Sequence, residues 1–80
     1  MAVLTLYTSP GCHLCEQARS ALMRIREDHP FELVERDITR DERLHRAYLE
    51  RIPVIALDGE ELFDYFVEED ALRARLAGLH

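Results

Sequence analysis

Eighty residues, 48% hydrophobic and 32% charged, suit one small domain near the size at which a single core is barely sufficient. No apolar stretch approaches the roughly 20 residues of a membrane span, and no basic segment precedes the first apolar residues, so neither a spanning helix nor a signal peptide is expected. The net charge of −6 argues against general binding to nucleic acid or anionic membranes.

Val3 to Tyr7 reads as a first strand, ended by the turn residues Ser9-Pro10-Gly11. From Leu14 the pattern turns helical, with Leu14, Ala18, Leu22 and Ile25 at helical spacing and Ala21 in the same stripe. The helix is expected to end near Asp28-His29-Pro30, because proline disfavours helical geometry in the residue before it. Phe31 to Ile38 forms a second strand, and two strands joined by a helix of this length predict a parallel βαβ unit.

Thr39 or Asp41 is placed to cap a second helix running to about Tyr48, with Leu44, Ala47 and Tyr48 inward. Arg51 to Leu57 is an apolar strand with Pro53 near its start, where proline is tolerated. Asp58-Gly59 is a strong two-residue hairpin signal, returning Glu60 to Phe63 as an antiparallel strand. A last helix begins near Glu68, with Leu72, Leu76 and Leu79 inward and Gly78 as a plausible stop. Glu68, Glu69 and Asp70 open it, and Arg73 and Arg75 follow, as the helix dipole prefers. The predicted order is βαβαββα within a single domain, residues 1–80.

The chain has two cysteines, Cys12 and Cys15, at the junction of the first strand and helix. Residues three apart on a helical turn sit about 5–6 Å apart, within the Cα separation that a disulfide tolerates. A helix N-terminus favours a thiolate and can lower a cysteine pKa below its free value of about 8.5. A nucleophilic thiolate and a resolving thiol able to join are the parts of a redox site. A disulfide closing so short a loop is a poor structural staple. A zinc site wants about four ligands, whereas one chain offers two cysteines and four scattered histidines. A cluster shared between two chains and a pair of inert thiols remain as alternatives. The expected compartment is the cytoplasm, where a stable structural disulfide is unusual.

With its elements in this order, the chain resembles the glutaredoxin branch of the thioredoxin-like superfamily over essentially its whole length. The residues that carry the resemblance are Leu6-Tyr7-Thr8 leading into Pro10-Gly11-Cys12-x-x-Cys15, the Glu35-x-Asp37-Ile38 strand end, and Ile52-Pro53. It implies an α/β, thioredoxin-like fold with a four-stranded mixed sheet flanked by helices. It also implies that Cys12 attacks a substrate disulfide and that Cys15 resolves the mixed disulfide. Pro53 would be the family's cis-proline, and the backbone of Ile52 would hydrogen-bond an extended substrate.

The departures concern glutathione. Ser9 stands where glutaredoxins usually have lysine, and His13-Leu14 replaces the usual Pro-Tyr interior. The family's Gly-Gly-x-Asp stretch, which receives a glutathione carboxylate, has no match in Asp64 to Asp70. Acidic residues at that helix start would repel a carboxylate that a bare helix N-terminus attracts.

The expected function is thiol–disulfide exchange on protein or small-molecule disulfides by a monomer with no bound cofactor or metal. Glutathione is the candidate reductant, and these departures count against its use as a bound substrate. The alternatives are an iron–sulfur cluster or metal carrier in a dimer, and a non-catalytic thioredoxin-like binding module. His13 is a candidate for tuning the Cys12 thiolate, and Arg51 is a candidate for the missing lysine charge. Tyr65 and Phe66 are expected to pack against the sheet, with an exposed rim for a protein partner as the other reading. Asp37 is expected to be a strand-end residue.

Overall fold

A computed structural model describes residues 2–78. β1 (Val3–Thr8) alternates, burying Leu4 and Leu6 on one face and leaving Val3, Thr5 and Tyr7 half-buried on the other. α1 (His13–Asp28) follows and leads to β2 (Glu32–Asp37), which pairs with β1 in parallel from Val3↔Glu32 to Thr8↔Asp37. A 3₁₀ turn (Ile38–Arg40) precedes α2 (Glu42–Tyr48). β3 (Val54–Leu57) and β4 (Glu60–Asp64) then form an antiparallel hairpin, and α3 (Glu69–Ala77) closes the chain. The sheet order is β2-β1-β3-β4, with β3 antiparallel to β1. This is the mixed four-stranded arrangement expected from the sequence.

The main core lies between one sheet face and the two longer helices. Leu4, Leu6, Ile55 and Leu57 meet Ala18, Leu22 and Ile25 of α1, Phe31, and Leu72 and Leu76 of α3. The buried stripe of α1 starts at Cys15, which is 3% exposed, and not at Leu14, which is 42% exposed. Leu14 lies one position, about 100° of helix, away from the line through Cys15, Ala18, Leu22 and Ile25. All four residues of β3 are buried, because this strand has neighbours on both sides and is covered on both faces. α2 lies on the far face, where Tyr48 stacks on Tyr7 with ring centroids 4.6 Å apart.

Several boundaries differ from the sequence reading. β2 is shorter at both ends: Phe31 precedes it as a buried core residue, and Ile38 begins the 3₁₀ turn, which Asp37 caps. Asp41, not Thr39, caps α2, accepting from the amides of Arg43 at 2.9 Å and Leu44 at 3.4 Å. α2 buries no residue fully; Leu44 and Tyr48 are half-buried and Ala47 is exposed. β3 starts at Val54, after Pro53, which has no N–H to give the ladder. β4 runs one residue further than expected, to Asp64. Leu72 and Leu76 are buried as expected, whereas Leu79 lies outside the described residues.

Two residues build the hairpin turn. Asp58 and Gly59 both take positive φ (49° and 89°), as a primed two-residue turn requires. Asp58 also ties the turn to β1, its amide donating to the Val3 carbonyl and its carboxylate accepting from the Val3 amide, both at 2.8 Å.

Candidate redox site

The loop from β1 into α1 is built by its turn chemistry. The Cys12 amide closes onto the Ser9 carbonyl at 3.4 Å, with Pro10 and Gly11 between. Gly11 has φ +77°, which fits the third position of a type II turn and which a residue with a Cβ rarely adopts. Cys12 is thereby left at the N-cap of α1, with extended backbone. Its Sγ accepts from the Cys15 amide at 3.1 Å, so sulfur fills the role that a serine or aspartate oxygen has at other helix starts.

Cys12 and Cys15 are joined as a disulfide, with Cα atoms 5.2 Å apart. The two sulfurs are not equivalent. Cys12 is half-buried at the loop surface, whereas Cys15 begins the buried stripe of α1. His13 is 92% exposed, with Nδ1 3.9 Å from the Glu16 carboxylate.

Sheet register brings the second motif to the same end of the molecule. Val54 pairs with Tyr7, so Ile52 and Pro53 lie where β1 runs into the cysteine loop. The Ile52-Pro53 peptide bond is cis. Pro53 is buried, and its carbonyl accepts from the Tyr65 amide at 2.7 Å. Ile52 is half-buried, and neither its N–H nor its carbonyl is hydrogen-bonded among the described residues.

Arg51 is not a free cation. Its guanidinium donates to both oxygens of Asp64, at 3.1 and 3.2 Å, and to Glu61, and it lies 5.3 Å from the Tyr48 ring. Tyr48 donates its hydroxyl to the other Glu61 oxygen at 2.9 Å. The bonds to Asp64 and then Glu61 hold the guanidinium protonated even more firmly than usual. The bond from Arg51, and next that from Tyr48, pulls the Glu61 carboxyl below its ordinary value. Burial first, and then the bond to Glu61, push the Tyr48 phenol up to about 12. Of this cluster, sequence reasoning weighed only Arg51 as a site residue. Contacts formed across 10 and 13 residues of chain leave no local signal.

Asp37 accepts from the hydroxyl and amide of Thr39, at 2.6 and 2.9 Å, which hold its carboxyl below the ordinary range. That is the strand-end role expected of it.

Tyr65 and Phe66 do not pack away against the sheet. They are 44% and 65% exposed, and Phe66 with Val67 lines a shallow groove against Gln17 and Ala18 of α1. Hydrogen bonding at the end of β4 turns this segment outward. The segment from Asp58 to Asp70 carries seven carboxylates (58, 60, 61, 64, 68, 69, 70) and no basic residue. Glu60, Glu61, Asp64 and Glu69 pair with Arg75, Arg51 and Arg24. Glu68 stands at the N-cap of α3 without making a side-chain cap bond. No helix of the described residues is long and apolar enough to cross a membrane.

Comparison with known proteins agrees with this geometry. Residues 3–77 match the model of the glutaredoxin-like domain family (DUF836). The solution structure of protein Ne2328 from Nitrosomonas europaea is 34% identical, with a TM-score of 0.82 over 92% of this chain and 89% of that one. The crystal structure of protein XcR50 from X. campestris is 38% identical, with a TM-score of 0.77 over 94% and 96% of the two chains. A point mutant of thioredoxin from Halobacterium salinarum shares the fold at 23% identity, with a TM-score of 0.68 over 96% of this chain and 73% of that one. With its loop cysteine pair, cis-proline and four-stranded mixed sheet, the chain has the thioredoxin fold and belongs to the glutaredoxin-like domain family.

Proposed function

We propose that this protein is a dithiol–disulfide oxidoreductase that reduces disulfides through Cys12 and Cys15. The observation that carries the reading is the asymmetry of the pair: a half-buried cysteine at a helix N-cap, disulfide-bonded to a buried one three residues on. In the reduced protein the Cys15 amide and the helix dipole favour the Cys12 thiolate.

The Cys12 thiolate attacks one sulfur of the substrate disulfide. A Cys12–substrate bond forms, and the departing sulfur leaves as a thiolate with the electron pair of the broken bond. Cys15, its proton lost to solvent, then attacks the Cys12 sulfur. The mixed disulfide breaks, the second substrate thiolate departs, and the Cys12–Cys15 disulfide remains. The substrate gains two electrons and the protein loses two. An external thiol in two equivalents, or a dithiol, returns them by the reverse exchange. Glutathione enters as such a donor from solution. The acidic start of α3 offers its carboxylates no attractive seat.

His13 and Arg51 have different parts in this reading. His13, next to Cys12 in the chain and at the surface, is the residue assigned to tuning the thiolate. Arg51 holds the Ile52-Pro53 segment to β4 and does not serve as a free charge, since two carboxylates already engage it. The backbone of Ile52 is the segment that pairs with the substrate chain. The enzyme acts as a monomer in the cytoplasm.

The test is trapping. Cys15→Ser should accumulate a covalent complex with a disulfide substrate, seen as a mass increase that dithiothreitol reverses. Cys12→Ser should form none. Equal trapping by both variants would contradict the assigned order of attack.

A further inference from the structure

We propose that Tyr65 is a positioning residue that locks the Glu50–Pro53 loop for polypeptide disulfides, and so separates that substrate class from small disulfides. The inference rests on the oxidoreductase reading above and adds a specificity determinant to it.

Tyr65 follows β4 directly and has φ +70°, the left-handed region that a residue with a side chain rarely occupies. The Phe66 amide closes back onto the Asp64 carbonyl at 2.8 Å, making Tyr65 the centre of a three-residue turn of the strained hand. Tyr65 as a whole is 44% exposed, so core packing does not account for holding a tyrosine there. Its hydrogen bonds do. The Tyr65 amide donates to the carbonyl of Pro53 at 2.7 Å, and its hydroxyl donates to the carbonyl of Glu50. One residue thus grips both ends of a four-residue loop.

Between those ends, Arg51 is drawn onto Asp64, the residue immediately before Tyr65. The Arg51 amide also returns to the Tyr48 carbonyl at 2.8 Å. Every anchor of the loop falls on Glu50, Arg51 or Pro53, and the backbone of Ile52 is the part left unpaired among the described residues. A glycine would accept the positive φ without cost but has no hydroxyl to reach Glu50. Tyrosine accepts the backbone strain and supplies that second tie.

The chemistry of the unpaired segment identifies the substrate class it favours. A free N–H and C=O beside a disulfide recognise an extended chain, which has its own amides to pair with them. A small disulfide without amides gains nothing from a rigid Ile52. Fixing the loop beforehand lowers the ordering cost of that pairing and leaves the exchange chemistry at Cys12 untouched.

The experiment compares wild type, Tyr65→Phe and Tyr65→Gly on two substrates under one recycling reductant. One is an end-blocked peptide dimer joined by a single cystine; the other is bis(2-hydroxyethyl) disulfide. Backbone ¹⁵N relaxation of residues 50–52 is recorded alongside. Tyr65→Phe should raise KM for the peptide about 3–10-fold, as expected for one lost hydrogen bond. It should leave kcat/KM for the small disulfide and the Cys12 thiolate titration unchanged, and make the amides of residues 50–52 more mobile. Tyr65→Gly should show at least the same loss on the peptide.

If both substrates slow equally, or neither changes, or the relaxation of residues 50–52 is unaltered, the assignment to Tyr65 is overturned while the oxidoreductase reading stands. If the wild type turns over neither disulfide, the oxidoreductase reading falls, and the proposed specificity falls with it.

Discussion

Reducing the Cys12–Cys15 disulfide should destabilise the fold only slightly, and the sign of that change bears on the direction of electron flow. The bond joins residues three apart, so the loop it closes is among the shortest a disulfide can make. On the chain-entropy relation, a loop of three or four residues contributes about 1.5–2 kcal/mol. Reduction removes that contribution and frees the Cys12 thiolate at the N-cap of α1, where the helix dipole returns about 0.3–1 kcal/mol. The difference leaves the oxidised form more stable by about 1 kcal/mol. In a domain this small that corresponds to a melting temperature about 4–8 °C higher. By linkage, the same free energy places the disulfide in the folded protein about 20 mV below the unfolded chain, the sense expected of a reductant. Calorimetry on fully oxidised and fully reduced protein at one pH reads the difference directly, and titration of the unfolded chain supplies the reference. A reduced form that melts at the same or a higher temperature would refute the reasoning. The thiolate would then outweigh loop closure, and the site would be suited to oxidising its partners.

Three further expectations follow from particular residues. The fold favours the protonated Tyr48 phenol, since its pKa is pushed from 10.0 up to about 12. That contribution is fully present below about pH 10 and is lost as pH rises through about 12. It corresponds to about 1–2 kcal/mol after allowance for partial solvent screening. Urea unfolding between about pH 9 and 12 should show the decline in wild type but not in Tyr48→Phe; parallel curves would remove the Tyr48–Glu61 bond from the account. Replacing His13 by alanine should lower the thiolate fraction of Cys12 at neutral pH, read by thiolate absorbance, and an unchanged titration would leave His13 as a surface residue. Leu22→Ala should cost about 2–5 kcal/mol in urea unfolding because the side chain is fully buried. Leu14→Ala should stay within about 0.5 kcal/mol, and comparable losses at both positions would put the stripe of α1 in the wrong place.

The sequence was most legible where a local rule decides the outcome. Proline and glycine before Cys12, the Asp58-Gly59 turn and the strand-like run from Val3 each act within a few residues, and all three appear as read. The cysteine pair and Ile52-Pro53 could be placed at one end of the molecule only through the family resemblance, since strand register joins segments far apart in the chain. α2 misled at Ala47 because seven residues make barely two turns, too few for periodicity to define a face.

The site was least legible where its residues answer to distant partners. Arg51 looked like an available charge because nothing beside it shows that Glu61 and Asp64 engage it. Tyr65 and Phe66 looked like packing residues because apolar character near a helix start ordinarily means burial. A left-handed tyrosine has no sequence signature, since that conformation is normally read from glycine or asparagine.

The claim that matters most is that Cys12 and Cys15 cycle between dithiol and disulfide at a potential a cell can use. Equilibrating the protein in glutathione buffers of defined potential, with alkylation and mass spectrometry to count free thiols, tests it directly. The account predicts one reversible two-electron transition, with both cysteines changing together, at a midpoint within the span of about −270 to −120 mV covered by known oxidoreductases of this fold. Cysteines that never form the internal disulfide across that range would contradict it.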